Sequence, residues 1–227
     1  MGAGVGLVIF DCDGVLVDSE MLACGVEARA LTAAGYPITA TEVAHRYAGV
    51  SDADMRRAIE QESGRKLPED YALRCAAELD DVFRRELRAM QGIAAVVDAV
   101  KASGRQVCVA SSSSPERLRL ALGLTGLWER FAPHVFSAKM VARGKPAPDL
   151  FLLAAREMAV EPASCLVVED SAPGVAAARA AGMTAIGFTG GSHCGAGHDA
   201  RLREAGAELI CADARSLGVL LRDILSR

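Results

Sequence analysis

The feature that most constrains this chain is a series of short apolar runs without polar–apolar alternation, each closed by small or polar residues and followed by a stretch with helical periodicity. The runs are Val5–Phe10, Gln106–Ala110, Val135–Phe136, Cys165–Val168 and Thr184–Phe188, with a weaker one at Glu208–Ile210. Unbroken apolar character marks strands covered on both faces, and strands alternating with helices imply a parallel sheet. The expected class is α/β, with helices on both faces of an open parallel sheet. With 227 residues, 51% of them apolar, the chain can close a full core and carry a smaller module besides.

In an open parallel sheet the carboxyl ends of the strands share one edge, where ligands bind. Asp11-Cys12-Asp13-Gly14 follows the first run, Ser111-Ser112-Ser113-Ser114 the second, and Glu169-Asp170-Ser171 the fourth. Carboxylates and hydroxyls distant in sequence are therefore expected to converge. Ser114-Pro115-Glu116 reads as N-cap, first-turn proline and first-turn acid of a helix running to about Leu122. Another helix opens at Pro173 and is closed by Gly182.

Between the first and second runs lie roughly 90 residues without a convincing strand, far more than an ordinary βα connection. They read as helices over Glu20–Ala34, Thr41–Tyr47, Asp52–Gln61 and Glu69–Met90. Such an insertion is a small helical domain, placed to act as a lid because it leaves and re-enters beside the first aspartates. The expected division is a core of residues 1–17 and 91–227 with a cap of residues 18–90.

Charge narrows the partners. Lys+Arg is 25 against Asp+Glu 29, a net charge of -4, and no long basic run occurs, which argues against nucleic acid or an anionic membrane surface. Lysine is scarce (Lys66, Lys101, Lys139 and Lys145), so a lysine within a motif is less easily filler. The seven cysteines form no CxxC pair, and reduced thiols in a cytoplasmic protein fit best. Val5–Phe10 runs straight into Asp11, Asp13 and Asp18 and reads as neither a signal peptide nor a membrane span.

Two aspartates at i and i+2 after a buried strand are costly unless a cation compensates them. Asp11 through its carboxylate, Asp13 through its backbone carbonyl and Asp170 from the fourth strand would make an oxygen-rich site suited to Mg2+. The remaining oxygen of Asp11 could attack phosphorus, and Asp13 could protonate the leaving oxygen and later deprotonate water. Lys145, in Gly144-Lys145-Pro146, and Ser111, with Ser112 and neighbouring backbone N–H groups, would stabilise the charge on the transferring phosphoryl group. Glu169 would join the metal site or orient Lys145.

These motifs resemble those of the haloacid dehalogenase superfamily, in the phosphatase subgroup with a helical cap inserted after the first motif. The first is Phe10-Asp11-Cys12-Asp13-Gly14-Val15-Leu16-Val17-Asp18-Ser19-Glu20, the second Val109-Ala110-Ser111, the third Lys145-Pro146-Ala147-Pro148-Asp149, and the fourth Val168-Glu169-Asp170-Ser171 with Gly174. The resemblance implies a Rossmann-like core with an inserted helical-bundle cap, Mg2+, a phosphoaspartyl intermediate on Asp11 and acid/base catalysis by Asp13. The implied substrate is a small phosphorylated metabolite such as a sugar phosphate, handled by a monomer or homodimer.

Asp13 argues against dehalogenation, because a halide needs no proton. The phosphonate-cleaving relatives use a cap lysine, and the only one here, Lys66, sits in a polar turn. β-Phosphoglucomutase is the alternative. Where that family carries a histidine, an arginine and a lysine, this chain has Ala23, Asp52 and Ser114, which removes groups expected to hold a second phosphate. Arg46, Arg56 or Arg57 could point into the cleft and hold an anionic substrate group. His193-Cys194 and His198, in a glycine-rich loop, lack a full metal-ligand spacing and read as a solvated loop.

Overall fold

In a computed structural model that describes residues 4–47 and 52–226, with only the backbone of Asp52 and Ala53, the chain forms two compact units. One comprises residues 1–18 and 88–227, the other residues 19–87.

The larger unit is built on six parallel strands: β1 (Leu7–Phe10), β2 (Gln106–Ser111), β3 (Val135–Ser137), β4 (Cys165–Glu169), β5 (Thr184–Phe188) and β6 (Leu209–Cys211). Their order across the sheet is β3-β2-β1-β4-β5-β6, which reverses direction of winding at β1 and β4. Helices α5 (Ile93–Ala102), α6 (Pro115–Leu124), α7 (Trp128–Phe131), α8 (Asp149–Glu157), α9 (Ala172–Ala180), α10 (His198–Glu204) and α11 (Ala214–Leu225) make the connections.

Both sheet faces are covered, which explains the lack of alternation in the sequence. Leu7, Ile9, Cys108, Ala110, Val167 and Ala185 join one cluster with Leu150, Phe151 and Ala154 of α8 and Ala177 and Ala178 of α9. The intervening Val8, Phe10, Val109 and Val168 point to the opposite face and are equally inaccessible to solvent. Phe10 there meets Phe131 edge to face, with ring centroids 5.9 Å apart.

The register aligns the strand ends that matter. Phe10 pairs with Val109 on one side and Val168 on the other, so Asp11 emerges between Ala110-Ser111 and Glu169-Asp170. The Asp11 N–H donates to the Val168 carbonyl at 3.0 Å, extending the ladder one residue beyond the strand.

The smaller unit consists of α1 (Glu20–Ala33), α2 (Ala40–Arg46), α3 (Asp52–Ser63) and α4 (Tyr71–Glu86). Thr39 opens α2 with a capping box shared with Glu42. Gly35 (φ 88°) and Gly64 (φ 63°) adopt left-handed backbone just beyond the ends of α1 and α3. The last helix is shorter than the apolar pattern suggests, because Leu87 turns extended and Ala89 forms an antiparallel bridge with Val17. The Asp18 N–H donates to the Arg88 carbonyl at 3.1 Å, and that of Met90 to Leu16 at 2.9 Å. Arg88–Met90 therefore satisfies its backbone against Leu16–Asp18 rather than along a helix, and a pairing across some 70 positions is invisible to local periodicity.

Ile9 is fully buried in the central strand, so Ile9→Ala should cost about 2–5 kcal/mol of unfolding free energy. Urea denaturation checks this; a loss below about 1 kcal/mol would mean the central strand is not packed as described.

Candidate active site

At the carboxyl edge of β1 and β4, Asp11, Glu169 and Asp170 are all buried, each offering an oxygen within 4.8 Å of the others. Lys145 enters this cluster from the loop before α8. Its ammonium donates to Asp11 Oδ1 at 2.7 Å, to Glu169 Oε1 at 2.5 Å and to the Ala110 carbonyl at 3.1 Å, so its three protons are all engaged. Phe151 supplies an aromatic face 5.1 Å below it.

Glu169 is held from the other side. The hydroxyl and the N–H of Ser171 each donate to Glu169 Oε2 at 2.9 Å, and Ser171 also caps α9 by accepting from the Gly174 N–H at 3.1 Å. Two glycines leave room for the carboxylates. A Cβ on Gly174 would overlap the Glu169 carboxylate, and one on Gly14, which has φ 77°, would overlap Asp170 Oδ2.

Asp13 faces elsewhere. Its Oδ2 accepts from the Ser113 hydroxyl at 2.7 Å and from that of Ser111 at 3.4 Å, while Ser111 Oγ accepts from the Ser113 N–H at 3.1 Å. The two aspartates of the first motif thus have different partners: Asp11 an ammonium beside two further carboxylates, Asp13 the hydroxyls of Ser111 and Ser113.

Burial pushes the Asp11 carboxyl well above the usual carboxylate range; Lys145 opposes the rise, and Glu169, Asp170 and Asp13 add to it. Burial also raises Asp170, reinforced chiefly by Glu169 and opposed by Lys145. For Lys145 burial favours the neutral amine, but Asp11 and Glu169 outweigh it and hold the ammonium above its ordinary range. Carboxylates outnumber the ammonium in a nearly dry site. Such an all-oxygen donor set fits a hard divalent cation, whose charge would relieve the repulsion.

Of the residues expected from the sequence, Asp11, Asp170, Glu169 and Lys145 meet in one cluster, and Ser111 and Asp13 meet beside it. Ser112 is exposed, and Ser113, which the sequence did not single out, donates to Asp13 beside Ser111. The Asp13 carboxylate lies outside the oxygen cluster, leaving its backbone carbonyl as the donor considered above.

The loop at His193 departs from the solvated loop expected. His193 Nε2 lies 3.0 Å from Asp170 Oδ2, and the buried His198 donates from Nε2 to the Asp170 carbonyl at 2.6 Å. Ser192 donates from its N–H (3.0 Å) and hydroxyl (2.8 Å) to Asp18 Oδ1.

Within the helical unit each candidate arginine is engaged by a carboxylate. Arg46 pairs with Glu62 at 2.6 Å, Arg56 with Glu27 at 3.3 Å, and Arg57 with Asp54. Lys66 pairs with Glu60 on the surface, Ser114 caps α6, Ala23 lies on α1, and the Asp52 side chain falls outside the described residues.

A family model described as haloacid dehalogenase-like hydrolase matches residues 5–182. The chain belongs to the haloacid dehalogenase-like hydrolase family. It is similar to 6-phosphogluconate phosphatase of Escherichia coli, 30% identical over 82% of this chain and 83% of that protein. Among solved structures, a haloacid dehalogenase-like protein of unknown function from Agrobacterium tumefaciens is 40% identical, with a TM-score of 0.89 over 97% of this chain and 99% of that one. A family hydrolase from Deinococcus radiodurans, crystallised with bound phosphate and sodium, is 31% identical, with a TM-score of 0.82 over 98% of this chain and 97% of that one. The fold class and the hydrolase class expected from the motifs are thereby borne out for this hydrolase. No helix among its described residues is long and apolar enough to cross a membrane.

Lys145→Met would leave Asp11 and Glu169 facing each other without their ammonium, and should cost about 3–5 kcal/mol of stability in EDTA. Denaturation with and without Mg2+ checks it: the loss should shrink when Mg2+ is added. A loss under about 1 kcal/mol in EDTA would refute the electrostatic reading of the cluster.

Proposed function

We propose that this hydrolase is a Mg2+-dependent phosphatase of small phosphorylated metabolites, of the sugar-phosphate kind, with Asp11 as nucleophile and Asp13 as general acid and base. The observation that carries the reading is the separation of the two aspartates, one beside an ammonium and two acids, the other on a pair of serine hydroxyls. The resemblance to 6-phosphogluconate phosphatase supports a phosphorylated carbohydrate as substrate.

Asp11, Asp170 and the Asp13 carbonyl would hold Mg2+, with Glu169 behind them; when bound, the ion neutralises phosphate charge and offsets repulsion between phosphate and Asp11. Lys145 fixes Oδ1 of Asp11 and leaves the other oxygen to attack phosphorus. As the new O–P bond forms, the ester P–O bond breaks, and Asp13 gives its proton to the departing alkoxide. The carboxylate of Asp13 then takes a proton from water as the water oxygen attacks the phosphoaspartate, releasing inorganic phosphate and restoring Asp11. Ser111 and Ser113 hold Asp13 in place for both transfers. Lys145 also bears on the charge of the transferring group.

Asp11→Asn should abolish phosphate release from a panel of metabolite monophosphates while leaving the fold intact; substantial residual turnover would refute the nucleophile. Asp13→Asn should lower kcat by about 10²–10⁴-fold on sugar phosphates and less on 4-nitrophenyl phosphate, whose leaving group needs little protonation. Equal losses on both substrates would count against the acid role. Isomerisation of a hexose 1-phosphate without net phosphate release would favour the mutase alternative.

Metal binding has its own expected signature. At a Mg2+ concentration about 100-fold above its dissociation constant, the thermal midpoint should rise by roughly 5–10 °C. In Asp170→Asn the metal-free midpoint should be higher, since a buried repulsive carboxylate is gone, and the Mg2+ response should largely vanish. An unchanged response would remove Asp170 from the metal site.

A further inference from the structure

The loop between β5 and α10 brings together three side chains that the phosphatase reading leaves unused. One ligand atom from each of His193, Cys194 and His198 lies within 4.8 Å of the others, and none of the three residues is fully exposed. We propose that they form a second cation site, for a borderline divalent ion of the zinc class.

The donor types decide the class of ion. Two imidazoles and a thiol select zinc-like ions over Mg2+, which prefers an all-oxygen shell. The spacing fits as well. Cys194 Sγ lies 3.4 Å from His193 Nε2, which also meets Asp170 Oδ2 and would have to leave it to bind an ion, and 3.9 Å from Nδ1; a tetrahedral zinc with ordinary bond lengths sets its nitrogen and sulfur ligands about 3.5 Å apart.

His198 already has the orientation of a ligand with outer support. Its Nε2–H donates to the Asp170 carbonyl at 2.6 Å, the arrangement that fixes the tautomer of metal-bound histidines and leaves Nδ1 as the binding atom. Arg201 donates to Nδ1 at 3.0 Å and must swing aside, which its exposed position on α10 permits. The His193 and His198 rings meet edge to face with centroids 5.4 Å apart, so both imidazoles border the same small space.

The site also touches the oxygen cluster. Both histidines contact Asp170, one at the carboxylate and one at the backbone, so an ion that repositions His193 draws on a residue proposed to hold Mg2+. Zinc at this site should therefore slow Mg2+-supported turnover, a consequence that rests on the proposed phosphatase function.

Cobalt(II) serves as the probe, because a thiolate ligand gives it a charge-transfer band in the near ultraviolet. The full-length protein, stripped with chelator and titrated with Co2+, should develop that band at one equivalent, and Zn2+ should abolish it. The band should be lost in Cys194→Ser, greatly weakened in His198→Gln, and retained in Asp11→Asn and Cys24→Ser. Absence of the band in the unaltered protein, or its survival in Cys194→Ser, would overturn the site. Zn2+ inhibition that persists unchanged in Cys194→Ser would place the inhibitory ion elsewhere. Failure of the phosphatase reading would show as no turnover at all and would leave the absorption result standing.

Discussion

The engagement of Lys145 with Asp11 and Glu169 is the interaction on which the rest of the site depends. A buried ammonium between two buried carboxylates, at 2.7 and 2.5 Å, is supported by further hydrogen bonds, from Lys145 to the Ala110 carbonyl and from Ser171 to Glu169. One positive charge is still too little for the acids around it. Burial, reinforced by the neighbouring acids, pushes Asp11 and Asp170 toward their protonated forms, and a divalent cation held by these oxygens would relieve that strain.

The sheet makes the cluster possible. Parallel strands in register deliver Asp11, Ser111 and Glu169 to one edge, and the adjacency of β1 and β4 at the reversal of strand order places the two acidic motifs side by side. The α9 cap then holds Glu169 through Ser171, and the bare Cα of Gly174 gives its carboxylate room. Stability and function meet at these positions, because the capping serine that starts the helix also orients an acid of the site.

Much of this was legible in the sequence, for physical reasons. Unbroken apolar runs report double-sided burial, so the strands could be read, and the family motifs carried the acidic cluster and Lys145. Three features were hidden. Ser113, beyond the end of β2, joins Ser111 on Asp13, a contact that the run of four serines does not reveal because the chain bends there. Arg88–Met90 leaves the helix to pair with Leu16–Asp18, a contact that no local window contains. His193 and His198 lie in a glycine-rich stretch whose composition resembles a solvated loop, and only tertiary packing brings them against Asp170.

The proposed role of Asp11, bonding through a carboxylate oxygen to phosphorus, can be trapped by acid quench of the enzyme during turnover of a phosphate-labelled sugar phosphate, followed by reduction of the acyl phosphate with borohydride and peptide mapping. Homoserine should appear at position 11 in the unaltered protein. Label retained on any other residue, or turnover with no covalent intermediate and direct transfer of phosphate to water, would contradict it.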